Sequence, residues 1–323
     1  MPSMPQKPKI AVVVCYFGYF PNYFNLTLDS MKKNKGIDWI FITDQIIEDL
    51  PPNIKSVNYS FLEFQSLIQS FFNFKISLDS PYKICDFRPA FGCIFESELN
   101  GYEFWGHCDL DMIFGDILGV IPDGAWKFDK VLIRGALGFY RNSSINNNVF
   151  RFKCVNSLDY ETVFSSTQYF GFDEWNGIMK KFISSGIDFW DDQSSFYDIN
   201  KNRFKLQALY SHRVRPVISD SGKVYMFDRK LGRMIEGSYI HLQKRKITLD
   251  SYVEHNGPLT VKFNEISPIF GSRASLPLVI NSLIIFYYYR YLAMKRKIIY
   301  YFFPSLFKAK AKYFVSQAQW LGK

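Results

Sequence analysis

The sequence predicts an α/β protein built on an open, mostly parallel sheet, and three observations predict it. Ile10–Tyr16 is a continuous apolar, largely β-branched run, the pattern of a strand buried on both faces. Over the first 115 residues such runs alternate with segments whose apolar residues recur at helical spacing. Asp109-Leu110-Asp111 follows directly on an aromatic, apolar run, which puts it at the carboxyl end of a strand, where open α/β sheets gather their ligands.

The elements follow in order. After Gly18 and Pro21, residues Phe24, Leu28 and Met31 mark a helix over Asn22–Lys33. Asp38–Thr43 reads as a second strand ending in Thr43-Asp44, and Ile54–Tyr59 as a third. Ser60 then opens a helix over Phe61–Phe72. Ile84–Leu99 is helical, with first turns made irregular by Pro89 and Gly92. Tyr102–Cys108 is the strand that delivers Asp109 and Asp111. Beyond it come a short strand at Val131–Arg134, a polar loop at Asn142–Asn148, a helix over Glu174–Ser184 and a late strand at Gly237–Lys244. The boundary falls near 265–275, giving a body of residues 1–265 and a tail of residues 266–323.

Composition narrows the partners. The formal charge is +9, yet no acidic residue follows Glu265, and nine basic residues do. Residues 1–272 are therefore electrically balanced, which argues against nucleic acid as a partner of the body. Five cysteines, an odd number with no C-x-x-C pair, make neither a disulfide framework nor a zinc site. The apolar stretch after Lys9 is too short for a signal-peptide core, so the expectation is a cytoplasmic chain.

Asp109-x-Asp111 places two carboxylates on one side of a strand or its exit turn, able to hold a hard divalent cation that in turn grips a diphosphate. A solvated turn is the plain alternative, because so short a motif arises by chance.

Longer blocks carry more information. Tyr82-Lys83-Ile84-Cys85-Asp86-Phe87-Arg88-Pro89-Ala90-Phe91-Gly92, then Gly101-Tyr102-Glu103-Phe104-Trp105-Gly106-His107-Cys108-Asp109-Leu110-Asp111, then Phe114-Gly115-Asp116 resemble a family of bacterial polysaccharide-biosynthesis glycosyltransferases of GT-A type, found in capsule and O-antigen clusters. The resemblance continues through Cys15-Tyr16-Phe17-Gly18, Phe41-Ile42-Thr43-Asp44, Phe139-Tyr140-Arg141-Asn142, Phe172-Asp173-Glu174-Trp175 and Tyr239-Ile240-His241-Leu242-Gln243-Lys244-Arg245. It spans roughly residues 9–250. The family pattern usually has Lys at Arg88 and a Gly-His pair at Gly135-Ala136.

The resemblance implies a GT-A-like twisted sheet with a Rossmann-like nucleotide half, and transfer of a hexose from a nucleotide diphosphate-sugar, UDP-linked, to a glycan or a polyprenyl-diphosphate-linked acceptor. Asp109, Asp111 and His241 would hold Mn²⁺ or Mg²⁺, with Asp109 also meeting the ribose. A core histidine is the plain alternative for His241. Lys244 and Arg245 would meet the diphosphate. Tyr16, Phe17 and Asp44 would hold the base, and Arg88 would reach the diphosphate or brace Asp109. Asp173 and Glu174 are the candidate general bases, flanked by Phe172 and Trp175 as sugar-packing rings; Asp191 and Asp192 are a second acidic pair. A nucleotidyltransferase is the alternative enzyme, though the Gly-rich basic loop it needs is missing after the first strand. A non-catalytic membrane or assembly module is the other alternative.

The tail alternates apolar and basic residues. Leu276–Tyr289 is too short to span a bilayer, and Arg290, Lys295, Arg296 and Lys297 follow it. A helix lying on the anionic inner face of the cell membrane has this composition; a helix packed on protein is the alternative. Full-length protein is expected to sediment with vesicles containing anionic lipid and to be partly released by high salt, whereas a chain ending at Ser272 stays in the supernatant. Full-length protein that ignores vesicles would remove the membrane reading.

Overall fold

The computed structural model describes residues 7–192, 194–199, 213–219, 221–228, 233–244, 246–249, 259–261 and 265–268. Arg245 and the tail beyond Pro268 lie outside the described residues. The chain is an α/β protein. Its main sheet contains β1 (Ile10–Tyr16), β2 (Ile37–Thr43), β3 (Ile54–Asn58) and β4 (Phe104–Cys108), mutually parallel in the order β3-β2-β1-β4. Helix α1 (Phe24–Lys33) joins β1 to β2, and α2 (Phe61–Ser70) follows β3. Ser60 starts α2 as a capping box: its Oγ accepts from Glu63 N at 3.2 Å while its own N–H donates to Glu63 at 2.7 Å.

After β4 the chain leaves the sheet as β5 (Met112–Phe114), then returns as β6 (Lys130–Arg134) and β7 (Leu137–Arg141), β7 running antiparallel to β4 and β6. Strand β8 (Phe189–Trp190) closes the edge beside β6. The main sheet alternates cleanly between two cores. Ala11, Val13, Ile40, Ile42, Trp105 and Tyr140 face one, while Val12, Val14, Trp39, Phe41, Phe104 and Phe139 face the other. Burial on both faces is why β1 reads as an unbroken apolar run.

Two further sheets were not legible as sheets, although the late strand expected over Gly237–Lys244 supplies one strand of the smaller, shortened to Tyr239–His241. Strand β9 (Phe196–Asp198) belongs to a small one, with β13 (Tyr239–His241) between β9 and β5. Strands β10 (Arg213–Ile218), β11 (Val224–Asp228), β12 (Arg233–Gly237), β14 (Thr248–Leu249), β15 (Leu259–Val261) and β16 (Glu265–Pro268) form a six-stranded sheet over a third core.

Three expectations are corrected. The single helix over Ile84–Leu99 is a chain of short turns, Ile84–Phe87 (α3), Arg88–Ala90 and Phe91–Ile94, because Pro89 removes an amide donor inside it. Asn142–Asn148 is not all loop: Ser143 caps a short helix over Ser144–Asn148. The helix expected over Glu174–Ser184 begins as a wide turn, Trp175–Met179, kinked at Gly177, and regularises only over Lys180–Ser184. Among the described residues no helix is long and apolar enough to cross a membrane.

Lys130 is almost fully buried at the start of β6. The β6–β7 register slips between Val131 and Arg134, Leu132 takes φ 60° there, and its carbonyl accepts from Lys130 Nζ at 2.9 Å. The ammonium sits 3.8 Å from the centroid of the Tyr140 ring. Burial pulls its pKa down to about 7, with Asp191 and Asp173 opposing. A pKa depressed on folding means that the unfolded chain binds more protons between pH 7 and about 10.4, so this group's penalty grows as pH falls through that window, to about 4–5 kcal/mol. The stability of Lys130→Met relative to the parent is therefore expected to be greatest near pH 7 and to decline toward pH 10. Denaturant titration of both proteins at several pH values checks it, and a difference independent of pH would refute it.

Candidate functional site

The strand order reverses at β1. The chain steps outward to β2 and β3, then crosses to β4 on the other side, so the connections after β1 and β4 diverge. A crevice opens at such a reversal. The Tyr16–Phe17 turn and the Asp109–Asp111 turn form its two walls.

The exit of β4 is fixed from behind by one polar stripe of α1. Thr27, Ser30 and Asn34 share a helix face. Phe114 N donates to Ser30 Oγ at 3.0 Å, Ile117 N to Asn34 Oδ1 at 3.0 Å, and Asn34 Nδ2 to Gly115 O at 2.8 Å. From the other side, Asp109 N donates to Ala136 O at 2.8 Å, so Ala136 acts through its backbone.

Strand β13 brings in the third member. In the β5–β13 register His241 stands opposite Met112, beside Asp111, and Leu242 N donates to Asp111 O at 2.8 Å. In the β9–β13 register His241 stands opposite Asp198. His241 Nε2 lies 3.5 Å from Asp111 Oδ1 and 3.6 Å from Asp109 Oδ2. One ligand atom from each of Asp109, Asp111 and His241 falls within 4.8 Å of the others. His241 Nδ1 meets Asp198 Oδ1 at 3.1 Å, and Gln243 Nε2 donates to the same oxygen. Asp198 thereby fixes the ring with Nε2 turned to the two carboxylates, the arrangement that metal-binding histidines use.

Charge is concentrated here. Burial disfavours charge on His241, but its bonds to Asp111 and Asp198 and the charge of Asp109 outweigh it and hold the imidazole well above its usual range. Burial would raise the Asp111 carboxyl, yet His241 and the Lys244 backbone N–H hold it below the usual value. Two carboxylates and an imidazole suit a divalent ion that accepts both oxygen and nitrogen, Mn²⁺ better than Mg²⁺.

The chain after His241 is strained. Gln243 and Lys244 take φ 58° and 53°, a conformation that costs roughly 1–3 kcal/mol per non-glycine residue. It directs Lys244 N to Asp111 Oδ2 and sets Lys244 Nζ 3.8 Å above the Tyr82 ring centroid.

Two cavities meet over the cluster. One of about 430 Å³ runs along Cys15, Tyr16, Tyr23, Ile84 and Leu110. The other, about 190 Å³, is bounded by Gly135, Tyr169, Asp173, Glu174, His241 and Gln243. Both touch Tyr82, Cys85, Arg88, Asp109, Asp111 and Lys244.

The remaining expected residues divide. Phe17 lines the larger cavity but is 6% exposed and packs on Phe61 and Phe64, with ring centroids 5.2 and 4.9 Å away, so most of its ring belongs to the core. Tyr16 is only partly buried and stacks on Phe20. Asp44 does not line either cavity; it accepts from Gly18 N at 2.9 Å and so holds the turn after β1. Phe172 is fully buried against Phe164, which removes it as a sugar-packing ring. Tyr82 and Tyr169, with centroids 4.7 Å apart, border the smaller cavity instead. Asp191 and Asp192 line neither cavity.

Arg88 is buried and braces two carboxylates: Nη2 donates to Asp109 at 2.5 Å and Nη1 to Asp173 at 2.9 Å. Asp173 is 2% exposed, and its pKa is pushed up to about 7 by burial, with Arg88 opposing and Glu174 and Asp109 adding. Much of Glu174 is open to solvent, but its carboxylate borders the smaller cavity, where desolvation and the charge of Asp109 raise it. The loop carrying both is anchored by Asp86, which accepts from Phe172 N at 2.8 Å and Phe170 N at 3.0 Å and pairs with buried Lys83 at 2.8 Å. Sequence reasoning missed Asp198, Gln243, Tyr82 and Tyr169 as site residues. Only Tyr82 and Gln243 had a signal, inside motif blocks already singled out.

Fold and site together define an α/β protein with a carboxylate–imidazole cluster in the crevice at the carboxyl edge of its main sheet. The chain belongs to a family described as a family of unknown function (DUF6625), which matches residues 12–269. None of the curated proteins matches it.

Mn²⁺ is expected to raise the melting temperature reversibly with EDTA, and Asp111→Ala or His241→Ala to remove that shift with little change in the metal-free protein. Asp198→Asn is expected to weaken binding about 10–100-fold. Because the raised imidazole holds a proton that the metal must displace, affinity tightens as pH rises. A large loss of metal-free stability in His241→Ala would instead mark a structural histidine.

Proposed function

We propose that this protein is a metal-dependent glycosyltransferase of GT-A-like architecture, moving a hexose from a nucleotide diphosphate-sugar, UDP-linked, to a glycan or lipid-linked acceptor in surface-polysaccharide synthesis. One observation carries the reading: Asp109, Asp111 and His241 converge where a larger and a smaller cavity meet. A leaving diphosphate needs positive charge at the junction between its nucleoside and its sugar, and the cluster occupies such a junction.

In this reading the larger cavity takes the nucleoside, with Tyr16 offering a partly exposed ring to the base. Asp109, Asp111 and His241 hold Mn²⁺ or Mg²⁺, which when bound supplies charge to stabilise the leaving diphosphate. Lys244 moves its ammonium from the Tyr82 ring toward the phosphates. The smaller cavity takes the sugar and the acceptor, whose apolar faces pack on Tyr82 and Tyr169. The acceptor hydroxyl attacks the anomeric carbon, the bond from that carbon to the diphosphate oxygen breaks with its electron pair on the diphosphate, and Glu174 takes the hydroxyl proton. Glu174 is preferred over Asp173 as base because it is open to an incoming hydroxyl, while Asp173 is buried against Arg88. Such a transfer inverts the anomeric centre. The basic tail would keep the enzyme at the cytoplasmic face of the membrane, near a polyprenyl-linked acceptor.

UDP is expected to stabilise the protein only when a divalent ion is present, by a few kcal/mol at saturation. A thermal-protection screen of nucleotide sugars with and without Mn²⁺ identifies the donor. Glu174→Gln should then lower transfer about 10²–10⁴-fold while leaving UDP binding intact. Equal protection by UDP in EDTA would refute the metal role, and near-normal turnover in Glu174→Gln would refute the base.

A further inference from the structure

Arg88 sits between the two halves of the site. Its terminal nitrogens serve different carboxylates, Asp109 Oδ1 at 2.5 Å and Asp173 Oδ2 at 2.9 Å. The carbonyls of Gly135, at 2.9 Å, and Cys108, at 3.3 Å, accept from the same nitrogens and fix the guanidinium plane. The other oxygen of Asp109 faces His241 Nε2 at 3.6 Å. Asp109 is thus shared between a fixed cation and the candidate metal position. Among the described residues Asp173 Oδ1 is buried without a hydrogen-bond partner, and Arg88 is the side-chain donor to this carboxylate.

We propose that Arg88 is a positioning residue that couples the metal position to the loop carrying Asp173 and Glu174. A divalent cation at Asp109 weakens that carboxylate's hold on Arg88, and Arg88 then binds Asp173 more firmly, fixing the loop when the metal is in place. The inference rests on the metal reading above. Its physical basis is competition of two cations for one carboxylate, and linkage makes the effect reciprocal. Removing the charge of Asp173 leaves Asp109 as the remaining carboxylate on Arg88, ties the two more closely, and so weakens metal binding, although Asp173 is not a ligand. A lysine, a single point charge, cannot bridge both carboxylates through separate planar donors and would uncouple them.

The test is calorimetric titration of the full chain with Mn²⁺ alone, at a pH above 7 where Asp173 is ionised, in four forms: unmutated, Asp173→Asn, Arg88→Lys, and both together. Asp173→Asn is expected to weaken Mn²⁺ binding about fivefold or more in the Arg88 background, the lower end of typical coupling. In the Arg88→Lys background the same substitution should cost clearly less, the remainder being direct charge. Equal losses in both backgrounds, or no loss, would overturn the coupling and leave the metal reading standing. An unmutated chain that binds no Mn²⁺ would overturn both. A second measurement needs no variant to fold: Mg²⁺ added to the unmutated chain labelled with ¹⁵N-arginine should shift the Arg88 guanidinium resonances. Resonances unmoved by bound Mg²⁺ would overturn the proposal.

Discussion

The ion triad of Asp109, Arg88 and Asp173 is the interaction on which the site depends. Arg88 is buried, and each of its carboxylates comes from a different part of the chain: one from the exit of β4, the other from the loop after residue 168. Deleting one member of a buried ion group leaves an uncompensated charge and typically costs about 3–5 kcal/mol. A hydrophobic triad of equal volume could hold the same two segments together. It could not leave a carboxylate facing outward toward His241, which is what the charged version does.

Around the triad, each wall of the crevice has its own anchor. The α1 stripe of Thr27, Ser30 and Asn34 satisfies backbone groups of residues 110–117, so the Asp109–Asp111 turn is held by hydrogen bonds that a buried loop must make somewhere. Asp86 does the same for the amides of Phe170 and Phe172. Both anchors lie outside the cavities, and both satisfy backbone amides of a loop that carries charged groups. Close packing is needed as well. A Cβ on Gly92 would stand 2.6 Å from Trp105 Nε1 and from Asn147 Oδ1, so glycine lets the helical turns of residues 84–94 approach β4.

Strain falls at the functional end of β13. Gln243 and Lys244 adopt left-handed conformations directly after His241, and the surrounding bonds, Lys244 N to Asp111 and Gln243 to Asp198, hold them there. Nothing in the composition of Leu242-Gln243-Lys244 signals such a turn, since neither residue is a glycine or an asparagine.

The sequence by itself determined the parallel half of the sheet. Strands buried on both faces are mostly apolar, and β1, β2 and β4 are, with Asp38, Thr43 and His107 as exceptions, so their positions and the Asp109–Asp111 turn at their carboxyl edge were legible. The two carboxylates of the candidate cluster were read from their spacing at a strand end, whereas His241 was joined to them only through the resemblance of long motif blocks. What tertiary structure decided is who stands beside whom. His241 reaches Asp111 through the β5–β13 register, and Asp198 reaches His241 through the β9–β13 register, pairings between short strands that carry little hydrophobic pattern. The same is true of Phe17 and Phe172. An aromatic residue next to a polar motif reads equally as a ligand platform or as core, and only packing against Phe61, Phe64 and Phe164 made both of them core. Local pattern records which face of an element is buried, whereas contacts between distant segments are set by packing and register, which no short stretch of sequence encodes.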